Sequence, residues 1–202
     1  MLRSLAATLF ALTSLTLGTM LLAPGAALAE DTAPAFRLSS PDLVPGAAIR
    51  LPQVFNSFGC AGGNISPALS WSNAPADTKS FALMVHDPDA PTGSGWWHWV
   101  VYNIPARVNA LVSRAGDPAA SLMPVGAVQS NTDFGAAGYG GPCPPAGDKP
   151  HRYYFRLHAL KVEKLDLPPT ATAAFVGFNV NANSLAVAEL MAVYSRPAAT
   201  GE

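Results

Sequence analysis

The chain has 202 residues, with 12 Lys or Arg and 13 Asp or Glu, so its formal net charge at pH 7 is −1. It contains no run of basic residues, and the electrostatic pattern of a protein that binds nucleic acid or anionic membranes is therefore missing. The 19 prolines and 17 glycines interrupt the chain often, which is typical of many short strands joined by turns.

Residues 1–29 have the pattern of a cleaved secretory leader. A short positive start containing Arg3 precedes an apolar stretch over 5–23, and residues 27–29 (Ala-Leu-Ala) form a small-x-small cleavage signal. The apolar stretch approaches the length of a membrane span, but the small residues and the acidic Glu30 that follow favour cleavage. We therefore predict an exported single domain over residues 30–202, without a membrane anchor after cleavage.

Cys60 and Cys143 are the only two cysteines in the chain. Export to an oxidising compartment favours a disulfide between them. Two buried free thiols are the alternative, because Cys is often a small core residue and the sequence does not give the distance between the two Cα atoms. Two distant cysteines supply too few ligands for zinc, so we predict no metal site here.

Five segments are predicted as strands from their β-branched and aromatic content or from alternation of apolar and polar residues. They are residues 36–39, 69–71, 81–86, 99–104 and 151–160. In the last segment alternate residues form an apolar face, with His151 at its entrance. The opposite face is mixed, so we predict an all-β domain in which two sheets pack as a sandwich.

Residues 87–99 place polar groups between two apolar strands. Asp87 follows the strand over 81–86, and His98 precedes the strand over 99–104. Each also has a structural interpretation, because an Asp before Pro often binds a backbone amide to start a turn, and a lone histidine at a strand end is more often a packing group. Polar side chains at the mouths of two core strands nevertheless indicate a candidate site.

Four apolar residues near the C-terminus recur at helical spacing, namely Val187, Leu190, Met191 and Tyr194. They follow Asn181 and Asn183, and asparagine is a common residue at the start of a helix. We therefore predict an amphipathic helix that packs against a sheet. A helix that binds a partner is the alternative interpretation.

Several motifs occur in a defined order along the chain, at residues 63–67 (Gly-Asn-Ile-Ser-Pro), 87–104 (which begins Asp-Pro-Asp-Ala-Pro and contains Trp-Trp-His-Trp at 96–99), 140–142 (Gly-Gly-Pro) and 151–153 (His-Arg-Tyr). In these motifs the chain resembles the phosphatidylethanolamine-binding protein family, most closely its bacterial, Raf-kinase-inhibitor-like branch. The resemblance implies a mainly antiparallel two-sheet β-sandwich with Greek-key connections and short peripheral helices, one of them near the C-terminus. It also implies a periplasmic or secreted bacterial protein.

The resemblance further implies a small cavity that accepts an anion. The ligand-binding residues that it implies are Asp87, His98, Gly140, Gly141, Pro142, His151 and Tyr153. Imidazole N–H groups donate to phosphate oxygens, more strongly when the ring is protonated. The backbone N–H groups of residues 139–141 are predicted to complete an anion-binding nest.

Four neighbouring residues are assigned structural roles. We expect Asp89 and Arg152 to form an ion pair that braces the site, and Trp97, like Trp96 and Trp99, to form core and pocket wall. The resemblance implies a cis peptide bond before Pro91, although only about 5–6% of bonds before proline are cis. In the bacterial branch a histidine is expected where this chain has Asn181 or Asn183.

Two classes of function follow. The first is a binding protein without enzymatic activity, which binds a phosphate-type anion or a phospholipid headgroup and modulates another protein such as a protease or a kinase. The sequence shows no nucleophile elbow and no activated thiolate. The second is a metal-assisted hydrolase in which Asp87, His98 and His151 hold a divalent metal, although the family resemblance implies no required metal or cofactor.

A third interpretation is that the pocket is unused and an outer surface binds a protein partner. The oligomeric state stays open between a monomer and a homodimer. We predict no cofactor and no nucleic-acid partner.

Overall fold

The computed structural model of the chain describes residues 34–198, so the predicted leader at residues 1–29 lies outside the described residues. Besides two short 3₁₀ helices (Leu51–Gln53 and Pro118–Ala120), the described residues form eight strands and one α-helix. In chain order these are β1 (Arg37–Ser39), β2 (Leu69–Ser72), β3 (Ser80–Asp87), β4 (Trp96–Pro105), β5 (Ala110–Leu111), β6 (Val128–Gln129), β7 (His151–Leu160), α1 (Ala173–Asn183) and β8 (Ser184–Tyr194). Within residues 34–198, no helix has the length and apolar character that crossing a membrane requires.

The strands form two antiparallel sheets, which confirms the predicted fold class. The smaller sheet has the order β1-β2-β5 and the larger has the order β6-β4-β3-β7-β8. The main core, which includes Trp71, Trp99 and Phe155, lies between the sheets. A second cluster, which includes Met84 and Val176, lies between α1 and the outer face of the larger sheet.

All five predicted strands are confirmed, and β7 has the predicted bounds. Its alternate residues from His151 to Ala159 are buried, as the sequence pattern indicates. The sequence analysis missed β5 and β6, which have only two residues each and therefore carry no periodic signal.

The predicted C-terminal helix is misplaced. The helix α1 ends at Asn183, and residues 184–194 form β8 instead. Thr172 caps α1 by accepting a hydrogen bond from the Phe175 N–H at 3.3 Å, so Asn181 and Asn183 lie in the last turn of this helix and do not cap a later one. Alternate residues of β8 face the main core, and its pairing along the whole of β7 outweighs the helical preference of its Ala, Leu, Met and Glu residues.

Candidate functional site

A cavity of about 210 Å³ lies at the end of the larger sheet where β3 ends and β4 and β7 begin. Its polar end consists of Asp87, His98, His151 and Tyr153, which are four of the predicted ligand-binding residues. The rest of its wall comes from loops and from the first residue of β4, namely Phe58, Ala90, Pro91, Thr92, Trp96, Phe134, Cys143, Pro144 and Pro145. The fold therefore brings distant parts of the chain together around one small cavity.

The strand pairing explains how His98 reaches the cavity. Trp99 lies opposite Val85 and Trp97 lies opposite His86, so His98 is the extra residue of a β-bulge in β4. A bulge redirects a side chain relative to the regular alternation of a strand. His98 is thus the third residue of β4, whereas the sequence analysis placed it just before the strand.

The imidazole of His98 is buried and its hydrogen bond fixes the position of its proton. Its Nδ1 lies 2.7 Å from the carbonyl oxygen of Gly140, which can only accept, so Nδ1 donates. Burial lowers the pKa of His98 to about 4, although the Gly140 carbonyl and the Asp87 carboxylate act in the opposite direction. At neutral pH the ring is therefore neutral and its Nε2 is an acceptor, so His98 does not offer a ligand the N–H donor that the sequence analysis expected.

His151 lies between two carboxylates. Its Nδ1 is 2.7 Å from Oδ2 of Asp87, and its Nε2 is 3.2 Å from Oδ2 of Asp148. Burial lowers the pKa of His151, but the hydrogen bonds to Asp87 and Asp148 outweigh this effect, so the pKa lies above its ordinary value of 6.5. The sequence analysis missed Asp148. The signal for it in the sequence is that this carboxylate stands three residues before His151, a predicted site histidine.

Asp87 has two roles, because its two oxygens have different partners. Oδ2 binds His151, while Oδ1 accepts from the N–H groups of Asp89 at 2.8 Å and Ala90 at 3.2 Å. The turn-forming interpretation of this aspartate and its placement at the site therefore both hold.

Tyr153 brings an unpaired hydroxyl to the cavity. Its side chain is buried, and within residues 34–198 no acceptor meets its hydroxyl with full hydrogen-bond geometry, although the Asp87 carboxylate lies near enough to interact with it. Burial raises the pKa of this hydroxyl, and the neighbouring Asp87 carboxylate raises it further, so it remains a donor at neutral pH. A buried polar group without a partner is costly, which is a reason to look for a ligand that satisfies it.

The glycine-rich turn does not form the predicted anion nest. The N–H groups of Tyr139, Gly140 and Gly141 donate to Gly116 O, His98 O and Asn64 Oδ1 at 2.8–2.9 Å, so none of them is available for an anion. The carbonyl of Pro142 likewise accepts from Phe55 N at 3.1 Å. A Cβ atom on Gly141 would lie 2.1 Å from Gln53 O, so this residue is small to allow close backbone packing behind His98.

The structural roles assigned from the sequence have mixed outcomes. Arg152 binds Asp89 through Nε and Nη2, both at 2.8 Å, which confirms the predicted ion pair. This pair holds the pKa of Asp89 well below its usual range. Every peptide bond within residues 34–198 is trans, so the predicted cis bond before Pro91 is wrong: the loop turns through the Asp87 hydrogen bonds and through Gly95 at a φ of 74°.

Trp97 is not part of the cavity wall. Its ring contacts that of His86, with the centroids 4.1 Å apart and the planes tilted by 32°, and it packs beside the cluster under α1. Trp96, which lies opposite Asp87 in the sheet, lines the cavity instead. Successive residues of a strand point to opposite faces. The sequence has tryptophan at positions 96, 97 and 99, and it does not show which of them faces the cavity.

The predicted disulfide between Cys60 and Cys143 is present, with the two Cα atoms 6.0 Å apart. It joins the loop that carries Phe58 to the segment that carries Pro144. The guanidinium of Arg196 braces the same region, because it donates to the carbonyls of Gly59 at 2.9 Å and Pro144 at 3.3 Å. The loop wall of the cavity is therefore fixed covalently and by hydrogen bonds.

The polar end is not arranged as a metal site. Both nitrogens of His151 face carboxylates, and Nδ1 of His98 is bound to a carbonyl. Across residues 34–198, no three side chains of His, Cys, Asp or Glu are grouped so that they could hold a metal ion. Asp87, His98 and His151 do not converge as the ligand set that the second hypothesis requires.

Comparisons with known proteins identify the family of this chain. The model of the family described as phosphatidylethanolamine-binding protein matches residues 39–195. The UPF0098 protein YbcL of Escherichia coli strain K12 is 52% identical over 162 residues, which cover 80% of this chain and 88% of that protein. The UPF0098 protein YbhB of the same strain is 49% identical over 159 residues, covering 79% of this chain and 99% of that protein.

A solved structure gives the same result. The crystal structure of E. coli YbcL, described as a new member of the mammalian PEBP family, matches with a TM-score of 0.78 and covers 79% of this chain and 98% of that one. The family model extends over most of the chain, and the matched strands carry Asp87, His98 and His151. This chain therefore belongs to the phosphatidylethanolamine-binding protein family.

Proposed function

We propose that this protein is an exported binding protein, not an enzyme, and that its cavity binds a small phosphate-type anion in its protonated form. The observation that carries the proposal is the pairing of one open acceptor with one open donor. Nε2 of His98 accepts, and the hydroxyl of Tyr153, unpaired within residues 34–198, donates. A phosphate monoanion offers both an O–H and charged oxygens, so it matches both groups.

The neighbouring charges support the monoanion over the dianion. The carboxylate of Asp87 lies beside this end of the cavity and repels a second negative charge. The phosphate then has to carry its proton, and the second pKa of a phosphate monoester is about 6. Binding should therefore strengthen as the pH falls through about 6, because the ligand gains a proton while His98 stays neutral. His151, whose pKa is raised by its two carboxylate partners, acts in the same direction by adding a positive charge beside Asp87.

Calorimetric titration of metal-free protein tests the proposal, with phosphoethanolamine, inorganic phosphate and a sulfate monoester at about pH 5.5 and about pH 8. Both phosphates should bind more tightly at the lower pH. The sulfate monoester has no proton to donate to His98, so it should bind weakly at both values. Equal binding of the sulfate ester would contradict the proposed recognition. Phosphoethanolamine binding well above that of inorganic phosphate would show that the cavity also recognises the ethanolamine substituent of the monoester.

Replacement of Tyr153 by Phe separates ligand recognition from folding. The hydroxyl has no protein partner in the described part of the chain, so its loss should leave the free energy of unfolding unchanged or raise it by about 1 kcal/mol. Affinity for phosphate should fall about 10-fold to 100-fold, which is the range for a hydrogen bond to a charged group. Tyr154→Phe is the matched control, because Tyr154 accepts from Arg152 outside the cavity. Unchanged affinity in Tyr153→Phe would refute the assignment.

Export and modulation of another protein belong to the same proposal. The Cys60–Cys143 disulfide supports export, because disulfides persist in oxidising compartments. N-terminal sequencing of protein from the periplasmic fraction should give Glu30 as the first residue. An uncleaved N-terminus in the cytoplasmic fraction would contradict export.

A further inference from the structure

The strand β8 is an edge strand of the larger sheet, and part of its outer side is open. One side of β8 pairs with β7 along its whole length. On the other side a loop segment covers only the C-terminal part of the strand. There Gly46 N–H donates to Met191 O at 2.8 Å, and Val193 N–H donates to Ala47 O at 3.0 Å. We call the uncovered stretch, residues 185–190, the open edge.

The backbone groups of Val187 and Glu189 point to this open side. The N–H and C=O groups of successive strand residues point alternately to the two sides of the strand. The covered residues Met191 and Val193 direct theirs away from β7, and the register with β7 is regular from Ala186 onward. Val187 and Glu189 therefore direct theirs the same way, and these four groups have no hydrogen-bond partner in the described part of the chain.

The open edge lacks the features that usually protect an exposed strand. Edge strands in natural proteins are commonly very short, or they carry lysine or proline. At the opposite edge of the sheet, β6 has only two residues. β8 has eleven residues, none of them proline, and its single charged residue is Glu189. Leu185 and Val187 are 41% and 47% exposed, so the open edge is a template for pairing with another strand.

We infer that the open edge binds an extended segment of another protein, which adds to the larger sheet as an antiparallel strand. Main-chain hydrogen bonds supply the affinity in this kind of recognition, and alternate side chains supply the specificity. We assign the antiparallel direction because it gives slightly more stable pairing per residue. Within residues 34–198, the cavity wall includes no residue of the open edge, so this interaction does not rest on the proposed phosphate binding.

The side chains of the open edge determine the composition of the added strand. Val187 and Glu189 project from the outer face of the sheet, because Ala188 and Leu190 face the main core. Glu189 accepts from Arg156 Nε through Oε2 at 2.7 Å, which leaves Oε1 for a second cation. Apolar and opposite-charge pairs across neighbouring strands are favourable. The added strand should therefore carry Lys or Arg opposite Glu189 and, two residues later, an apolar residue opposite Val187.

A second copy of this chain fits the open edge less well than a free segment does. Pairing of Val187 with Glu189 would fix the register between two copies, and Met191 of each copy would then lie opposite Leu185 of the other. The turn over residues 44–47 lies beside Met191 and already occupies that space. A shifted register places the two Glu189 carboxylates opposite each other or leaves Val187 as the only regular pair. A free segment carries no such turn.

NMR titration with an acetylated and amidated peptide, Thr-Lys-Thr-Val-Thr-Val-Thr, tests this inference. With its lysine opposite Glu189, its first valine lies opposite Val187. In the free protein the amides of Val187 and Glu189 should exchange quickly with solvent, while those of Ala188 and Leu190, which point to β7, should exchange slowly. The peptide should slow the exchange of Val187 and Glu189 selectively.

Two N-methylated peptides form a matched pair. Methylation of the first valine removes an N–H that points to β8, and it should weaken binding at least about 10-fold. Methylation of the threonine before that valine removes an N–H that points away from β8, so this peptide should bind like the parent. Exchange of the peptide lysine for glutamate should weaken binding to the natural protein and strengthen binding to Glu189→Lys.

Val187→Pro is the corresponding variant of the protein. It removes only an N–H on the open side, and proline is tolerated on an edge strand when its missing N–H would face solvent. The variant should therefore remain folded and lose the peptide. Val187→Thr keeps both the N–H and the β-branched side chain, so it should bind the peptide like the natural protein.

The inference is wrong if the parent peptide does not bind, or if the two N-methylated peptides bind equally. It is also wrong if the amides of Val187 and Glu189 exchange as slowly in the free protein as those of Ala188 and Leu190. Sedimentation that shows a dimer in which these two amides are protected would overturn it in favour of a second copy. Tyr153→Phe should leave peptide binding unchanged, so failure of phosphate binding and failure of peptide binding are separate results.

Discussion

The two sides of the polar end each carry a buried histidine, yet they give it opposite electrostatic properties. His98, on the bulge of β4, binds a carbonyl, and burial lowers its pKa to about 4. His151, at the start of β7, binds two carboxylates, which raise its pKa above 6.5 despite its burial. Burial alone therefore does not set the charge of a histidine, because the partner of each ring nitrogen decides which protonation state is stabilised.

Of the substitutions proposed here, one in the backbone turn behind His98 should lower the free energy of unfolding most. In Gly141→Ala the new Cβ would lie 2.1 Å from Gln53 O and 2.6 Å from Phe55 N, and backbone atoms cannot move aside as a flexible side chain can. We expect the free energy of unfolding to fall by about 3 kcal/mol in urea denaturation. Gly93→Ala is the control, because no atom lies within 4 Å of its added Cβ. Equal stability of the two variants would show that the turn at 139–141 does not pack as described.

Acid should destabilise the protein through His98. Its folded pKa of about 4 lies below the ordinary value of 6.5, so between these values the unfolded chain binds a proton that the folded protein does not. This lost stability amounts to about 3 kcal/mol as the pH falls from about 6.5 to about 4. Denaturation curves across this range should show a smaller loss in His98→Gln. Part of the dependence of stability on pH should remain in this variant, because burial also lowers the pKa of His158 to about 4. An identical slope in the variant would contradict the burial of a neutral His98.

His151 should affect stability in the opposite direction and at higher pH. Its raised pKa means that its contribution is fully present below about 6.5 and is lost as the pH rises through the folded pKa. In Asp87→Asn the amide oxygen can still accept from Asp89 and Ala90, while the charge opposite His151 is removed. We expect this variant to lose about 2 kcal/mol at neutral pH and the pKa of His151 to fall.

Asp148→Asn should have the smallest effect of these substitutions, and it acts on the pKa of His151. Asp148 is more exposed than Asp87 and its oxygen lies farther from the ring, at 3.2 Å compared with 2.7 Å. Its replacement should therefore lower the pKa of His151 less than Asp87→Asn does, and NMR titration of both variants measures the difference. A larger effect of Asp148→Asn would show that the exposed carboxylate, and not the buried one, sets the charge of His151.

The sequence was informative where a signal is local. The strands β3, β4 and β7 are dense in β-branched and aromatic residues, and the motifs containing Asp87, His98 and His151 identify residues that meet at one cavity. The segment of β8 was misassigned because its Ala, Leu and Met residues favour a helix, and only pairing with β7 makes it a strand.

Contacts between distant parts of the chain were the main source of the other errors. The expected anion nest failed because Gly116, His98 and Asn64 use the three N–H groups, and none of these partners is adjacent in the sequence. The charge of each site histidine likewise depends on a carbonyl or carboxylate brought to it by the fold. The position of Phe58 beside the cavity follows from a disulfide that links residues 60 and 143.

The most direct test of the account is an NMR titration of the imidazole nitrogens of His98 and His151 in the natural protein without ligand, from about pH 4 to about pH 8. We expect His98 to remain neutral down to about pH 4, with its proton on Nδ1, and His151 to titrate above 6.5. This result would establish a cavity with one neutral, accepting histidine and one histidine that is charged at mildly acid pH. If both rings titrate together near 6.5, or if His98 carries its proton on Nε2, recognition of a protonated phosphate through His98 would be contradicted.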